Sequence, residues 1–407
     1  MHTERRYDID WLRVIAIGLL LTYHIAIIFQ PWAVFIGFMR STKLMDGLWY
    51  PMTLLNVWRI PLLFFVSGMG VYFAMQKRNV KQLLLERGKR ILLPYLFGIV
   101  AVVPLHFFIF QNFYGQQLTY FAHPAHLWFL GNLVIYISVL FPVFFYLLKN
   151  QDGKFRKALI KILGNPLGPA VISLFFVLEV LIVKPQIFSL YAQTLHGYAM
   201  GFLAFFFGFI LVYAGQPFWN TVQKCKAAYL CAATIMFAVR LIVNQTGGPN
   251  FLMAIESNLW IMSLLGYAYQ YLNRPSKVLA YFSKAVYPIY IVHMFVLYGA
   301  AWLVLPLEIP AFLQFILIVI ITAVVCIILY EILKRIPILR NAFGISLKPK
   351  TKRKIKGNHL AFSPTDSHHS LLAVAYEKNL NSKTEFKSFF KKTEGIIPNA
   401  CLRSSEN

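Results

Sequence analysis

Ten windows of roughly 17–22 predominantly apolar residues, each long enough to cross about 30 Å of hydrocarbon, occupy most of this chain before its last seventy or so residues. They fall near 12–30, 55–75, 91–111, 127–148, 170–185, 198–214, 227–245, 251–272, 285–305 and 311–333. Composition excludes the soluble alternative: 58% of the residues are hydrophobic and 13% charged, against roughly 45–50% and about 25% in soluble domains. Without water, a backbone must satisfy its hydrogen bonds within each segment. The expected fold is therefore all-α: a polytopic membrane helical bundle of about ten transmembrane helices over residues 1–335, followed by a tail, 336–407. The first window is too long for a signal peptide, lacks a small-residue cleavage site, and carries Arg13 and His24 inside it.

The net charge of +24 would point to nucleic acid in a soluble protein, but here the cations follow the spans. Arg5 and Arg6 precede the first, and Lys77, Arg78, Lys81, Arg87, Lys89 and Arg90 lie between the second and third. Further clusters follow the fourth, sixth and eighth spans, and fifteen Lys and Arg stand from Lys334 onward. The alternate loops hold only Arg40 and Lys43. Such a bias predicts that both termini are cytoplasmic in a cell (inner) membrane and removes the need for nucleic acid. Within the tail, Leu347–Lys356 carries six cations, a pattern suited to anionic lipid head groups. The rest is Ser-, Asn- and Lys-rich and reads as disordered. Cys225, Cys231, Cys326 and Cys401 show no metal spacing and read as reduced structural residues.

Ionisable groups inside spans are costly and mark function by default. Arg13 and His24 are eleven residues apart, which returns to within about 20° of one helix face and rises about 16 Å. Asp10 shares that stripe one turn earlier. Arg59 opens the second span, with Ser67 and Gly68 further along it. His106, His123, His126 and His196 gather toward the outer side, Arg240 and Glu256 in the outer parts of their spans suit an ion pair or a polar acceptor, and His293 is another buried imidazole. The histidines lack the convergent spacing of a zinc site, so no metal is expected. The bland readings are snorkelling for Arg13 and Arg59, hydrogen-bonded core positions for the histidines, close helix packing for Ser67-Gly68, and the positive-inside signal for Arg87–Arg90. The collective pattern favours a passage with chemistry: imidazole suits a general base near neutral pH, and clustered Arg and Lys suit phosphates.

Taken in order, these residues resemble the acyltransferase 3 family of integral membrane acyltransferases. Arg13 and His24 match its Arg-x10-His signature. Phe64, Phe65, Ser67 and Gly68 match its Phe-Phe and Ser-Gly stretch, and Arg87, Arg90 and Pro94 match its basic motif before a proline. Within the family the chain looks most like the glucans biosynthesis protein C group, through Arg59, His126-Leu-Trp-Phe-Leu, Glu256-Ser257, His293 and Ile328-Leu-Tyr-Glu-Ile. The resemblance implies transfer of an acetyl or succinyl group from cytoplasmic acyl-CoA, a co-substrate rather than a bound cofactor, to a hydroxyl of an extracytoplasmic carbohydrate. It implies His24 as general base with Arg13 and Asp10 beside it, and acyl-CoA held by Arg87, Lys89, Arg90 and Ser67. Arg59, His126, Glu256 and His293 would shape the acceptor site. The competing expectation is a transporter or flippase of a polar glycan or lipid-linked sugar. The lack of a recognisable internal repeat and the CoA-like basic loop weigh against it.

Overall fold

The structure, a computed structural model, describes residues 5–244 and 247–345; the basic stretch Leu347–Lys356, the remaining tail and Cys401 lie outside the described residues. Among the described residues there are helices and no strands. They run as α1 (Tyr7–Ile27), α2 (Trp49–Gln76), α3 (Val80–Phe113), α4 (Trp128–Lys149), α5 (Lys154–Leu163), α6 (Gly168–Val183), α7 (Leu195–Ala214), α8 (Gln216–Asn244), α9 (Asn250–Tyr271), α10 (Lys277–Val304), α11 (Ala311–Leu333) and α12 (Pro337–Ala342). Nine of the described helices are long and apolar enough to cross a membrane, and the bent pair α5–α6 makes ten when taken as one span. The window expected at 170–185 corresponds to α6, only 16 residues long. It meets the basic helix α5 at 103°.

Two features of the packing place the site. The first is the contact of α2 with α7. A Cβ on Gly68 would stand 1.9 Å from the Phe205 carbonyl oxygen, and one on Gly208 would stand 2.0 Å from that of Phe65. Each glycine thus admits the other helix's backbone, the small-residue logic of membrane packing. The second is α3, where π-helical segments at Gly88–Leu92 and Gly98–Val102 interrupt the α-helix. Each shifts the register of the helical turns beyond it, a device common at functional positions. Gly98, in the second π segment, lies against Leu127 at the start of α4.

The bundle continues past the last span. Residues 337–345, assigned to the tail on sequence, begin a short helix with Pro337 in its first turn. Phe343 packs its ring on Phe97 at 5.4 Å, and Phe343 and Ile345 are both buried. The apolar surface buried by these two side chains favours the docked turn, in a segment the sequence reading placed with the basic tail.

Candidate active site

Two cavities lie at opposite ends of the bundle, one among the basic loops and one among the loops at 28–48, 184–194 and 247–249. The second, about 980 Å³, is lined by Tyr23 and His24 from α1, Arg59 from α2, and His106 and His126 from either side of the α3–α4 turn. His24 Nδ1 lies 2.9 Å from His293 Nε2, with the ring planes 12° apart. His293 Nδ1 is 2.6 Å from the Tyr290 carbonyl oxygen. Since a carbonyl only accepts, His293 carries its proton on Nδ1 and offers the Nε2 lone pair. His24 must then donate from Nδ1, which leaves its Nε2 lone pair without a hydrogen-bond partner among the described residues, in a side chain that lines the cavity. One backbone carbonyl thereby sets the tautomer of two imidazoles. His126 Nε2 donates to the Ile291 carbonyl at 3.0 Å, leaving its buried Nδ1 without a partner among the described residues. The Tyr290 hydroxyl donates to the His126 carbonyl.

The two arginines that line this cavity differ in their partners. Arg240 is closed off by Glu256, with Nε and Nη2 both at 2.9 Å from its carboxylate oxygens and Nη2 at 3.2 Å from the Thr53 carbonyl. Glu256 is 1% exposed and also accepts from Trp260, so the structure commits it to Arg240 and keeps it out of the cavity lining. Arg59 is not at a helix end, where it could reach the interface; it is buried within α2. Its guanidinium sits 3.8 Å from the centre of the Tyr23 ring, and its Nε and Nη1 have no hydrogen-bond partner among the described residues. A buried cation facing a cavity without a carboxylate is costly to maintain and invites an anion.

The basic cavity, about 500 Å³, is lined by Arg13, Ser67, Arg87 and Arg90. Arg13 Nη1 is 3.4 Å from Asp10, which also holds Arg5 at 2.8 Å. Arg87 reaches the Gly70 carbonyl at 3.5 Å and leaves its buried Nε unpartnered among the described residues. Gly70 matters because a Cβ there would meet Arg13 Nη2 at 3.2 Å, so the missing side chain lets two guanidinium groups approach one spot. The Ser67 hydroxyl is already donated to the Leu63 carbonyl at 2.7 Å. Lys89 is exposed and does not line the cavity; the turn that brings in Arg87 and Arg90 carries it outward.

Sequence reasoning passed over several groups here. Glu86 pairs with Arg78 and Arg90, each at 3.1 Å. The buried Tyr287 hydroxyl has no partner among the described residues and lines the same cavity. Asp8, wholly buried, is gripped by Arg6, whose guanidinium lies 3.7 Å from the Trp219 ring. An acidic residue set among basic ones is the faint signal for Glu86; nothing local marks Tyr287.

Leu63, Phe129 and Tyr290 line both cavities and so form the septum between them. Phe129 packs on Phe64 at 4.6 Å and meets Tyr290 at 6.2 Å. Among the described residues no group of three or more His, Cys, Asp or Glu is placed to hold a metal ion.

Against known proteins, residues 6–331 match the model of the acyltransferase 3 family, described as an acyltransferase domain. The chain is 26% identical over 390 residues to the glucans biosynthesis protein C of Shigella dysenteriae serotype 1, covering 86% of this chain and 97% of that one. It is likewise 26% identical over 388 residues to the protein of the same name from Escherichia coli K12, with the same coverage. No solved structure matches. A family match across four-fifths of the chain, joined to this apolar bundle, leaves one reading: the chain belongs to the acyltransferase 3 family and is a multi-pass membrane acyltransferase.

Proposed function

We propose that the protein moves an acyl group from cytoplasmic acyl-CoA to a hydroxyl of an extracytoplasmic carbohydrate, with His24 as general base. The observation that carries this is the Nε2 lone pair of His24, unpartnered among the described residues, in a side chain that lines one cavity and is separated by a septum from the arginines of the other. In this reading the positive-inside bias turns the basic cavity and both termini to the cytoplasm, in a cell (inner) membrane. The CoA phosphates rest against Arg87 and Arg90, with Arg13 deeper along the path, and the pantetheine arm crosses at Leu63 and Phe129. Arg87 and Arg90 act as donors for charged oxygens; the exposed Lys89 contributes only to the surrounding field.

The reaction uses the tautomers set by the Tyr290 carbonyl. His24 Nε2 takes the proton of the acceptor hydroxyl as its oxygen attacks the thioester carbonyl carbon. The tetrahedral intermediate expels the CoA thiolate, breaking the carbon–sulfur bond, and the imidazolium returns its proton to sulfur. His293 accepts from Nδ1–H throughout and keeps the ring in register. The relatives named for glucan biosynthesis support a glucan or similar carbohydrate acceptor. The uncompensated Arg59 supports an acyl group that ends in a carboxylate, as succinyl does, over acetyl.

The test is transfer by the purified protein in detergent from acyl-CoA to a glucan oligosaccharide, read by mass spectrometry. Replacing His24 by Ala or Gln should lower turnover by about 10²–10⁴-fold, the usual worth of a general base, while acyl-CoA still binds. Normal transfer by either variant would remove His24 from that role.

A further inference from the structure

The mouth of the histidine cavity has one wall that the acyl-transfer chemistry does not use. Trp32 precedes the short 3-10 turn Ala33–Ile36, and Trp49 opens α2. Their rings meet edge to face, centroids 5.5 Å apart and planes 73° apart, which makes a corner with an aromatic floor and an aromatic side. Phe35, 90% exposed, stands beside them. All three line the cavity that holds His24. The same cavity is also lined by Gln186, Ser189, Gln193 and Asn250, which carry amides and a hydroxyl, the Asn250 amide donating to the Pro185 carbonyl at 2.6 Å. Gln193 has φ 57, a left-handed conformation uncommon for a residue with a side chain.

A cavity that combines flat aromatic faces with amides and a hydroxyl matches one class of ligand. A pyranose ring has an apolar face of axial C–H bonds and an equatorial rim of hydroxyls, so it stacks on the first and hydrogen-bonds to the second. The volume of about 980 Å³ is at the upper end of ligand pockets, roughly 300–1,000 Å³, and leaves room beyond the ring whose hydroxyl would reach His24. Membrane-interface anchoring is the other common role of Trp, but an anchor faces lipid, and these rings face the cavity.

We propose that Trp32 and Trp49, with Phe35 at the lip, form a subsite that stacks on a second sugar ring of an oligosaccharide acceptor, one or more units from the acylated ring. This rests on the carbohydrate-acceptor reading above and adds a length requirement to it. The test compares wild type with Trp32→Ala, Trp49→Ala and the ring-preserving Trp49→Phe, using a glucose oligosaccharide series from one to six units. Wild type should improve in kcat/KM with acceptor length. Both alanine variants should raise KM for the long acceptors about tenfold and flatten that profile, leaving kcat and transfer to glucose unchanged, and Trp49→Phe should restore most of the loss. An unchanged length profile in both alanine variants, with acyl-CoA binding intact as evidence of folding, would overturn the subsite and make the rings interface anchors. If wild type acylates no sugar of any length yet hydrolyses acyl-CoA in a His24-dependent way, the carbohydrate reading fails instead.

Discussion

A histidine works as a base only through a nitrogen whose lone pair faces the reactant, so the partner of its other nitrogen matters as much as the ring. Here that partner is His293, fixed by the Tyr290 carbonyl. Replacing His293 with Leu should keep the volume but free the His24 ring to flip or change tautomer. We expect kcat to fall about 10–100-fold, the scale for losing a partner that orients a working imidazole, with KM for acyl-CoA unchanged. His293→Gln, whose carboxamide oxygen can still accept from Nδ1–H, should recover a substantial part. A His293→Leu variant with wild-type kcat would show that His24 needs no orienting partner. The Arg13–His24 spacing was legible because 3.6 residues per turn puts both on one face. The His24–His293 bond was not, because it joins residues 269 apart in sequence, a pairing no local periodicity encodes. The same limit applies to Arg59: the Arg240–Glu256 pair was open on sequence, but the burial of Arg59 against Tyr23 of another helix was not.

Apolar length and loop charge determine nearly everything about a membrane helix except how closely it approaches its neighbours. The spans of α1, α2, α7, α10 and α11 lie within a turn or two of where hydrophobicity put them. The breaks in α3 did not show, because a π segment leaves no signature in composition. Nor did the packing of residues 337–345, a short apolar stretch that was read together with the basic tail after it. Ser67-Gly68 did carry a packing reading, and the geometry sharpens it into a reciprocal contact through Gly208. Because each glycine admits the other helix, Gly68→Ala and Gly208→Ala should each destabilise by about 1–3 kcal/mol, the typical cost of overpacking. The two should be less than additive: once α2 and α7 have separated for the first methyl, the second costs little. Thermal unfolding of the detergent-purified single and double variants checks this. Full additivity would mean that the two contacts are independent.

At the scale of the whole molecule, two chambers of unlike chemistry meet at a septum to which Leu63, Phe129 and Tyr290 contribute. One chamber gathers guanidinium groups and the other imidazoles and aromatic rings. A thioester that reaches His24 while its phosphates stay with Arg87 must pass Leu63 and Phe129, because Tyr290 is tied to His126 by its hydroxyl and to His293 by its carbonyl. Phe129 has no such polar tether and is held by ring packing on Phe64, so its ring can turn aside without breaking a hydrogen bond. Its closure would keep water from the thioester until the arm arrives, the usual gain from sequestering a reactive bond. Phe129→Ala should therefore raise acyl-CoA hydrolysis in the absence of acceptor several-fold and admit bulkier acyl groups. Phe129→Trp should suppress transfer while acyl-CoA still binds to the basic cavity. Proteoliposomes with acyl-CoA confined to one side and acceptor to the other provide the measurement, since a septum that only fills space would leave hydrolysis, acyl preference and sidedness unaltered in both variants. Retained transfer by Phe129→Trp would direct the donor around this septum and place the crossing elsewhere in the bundle.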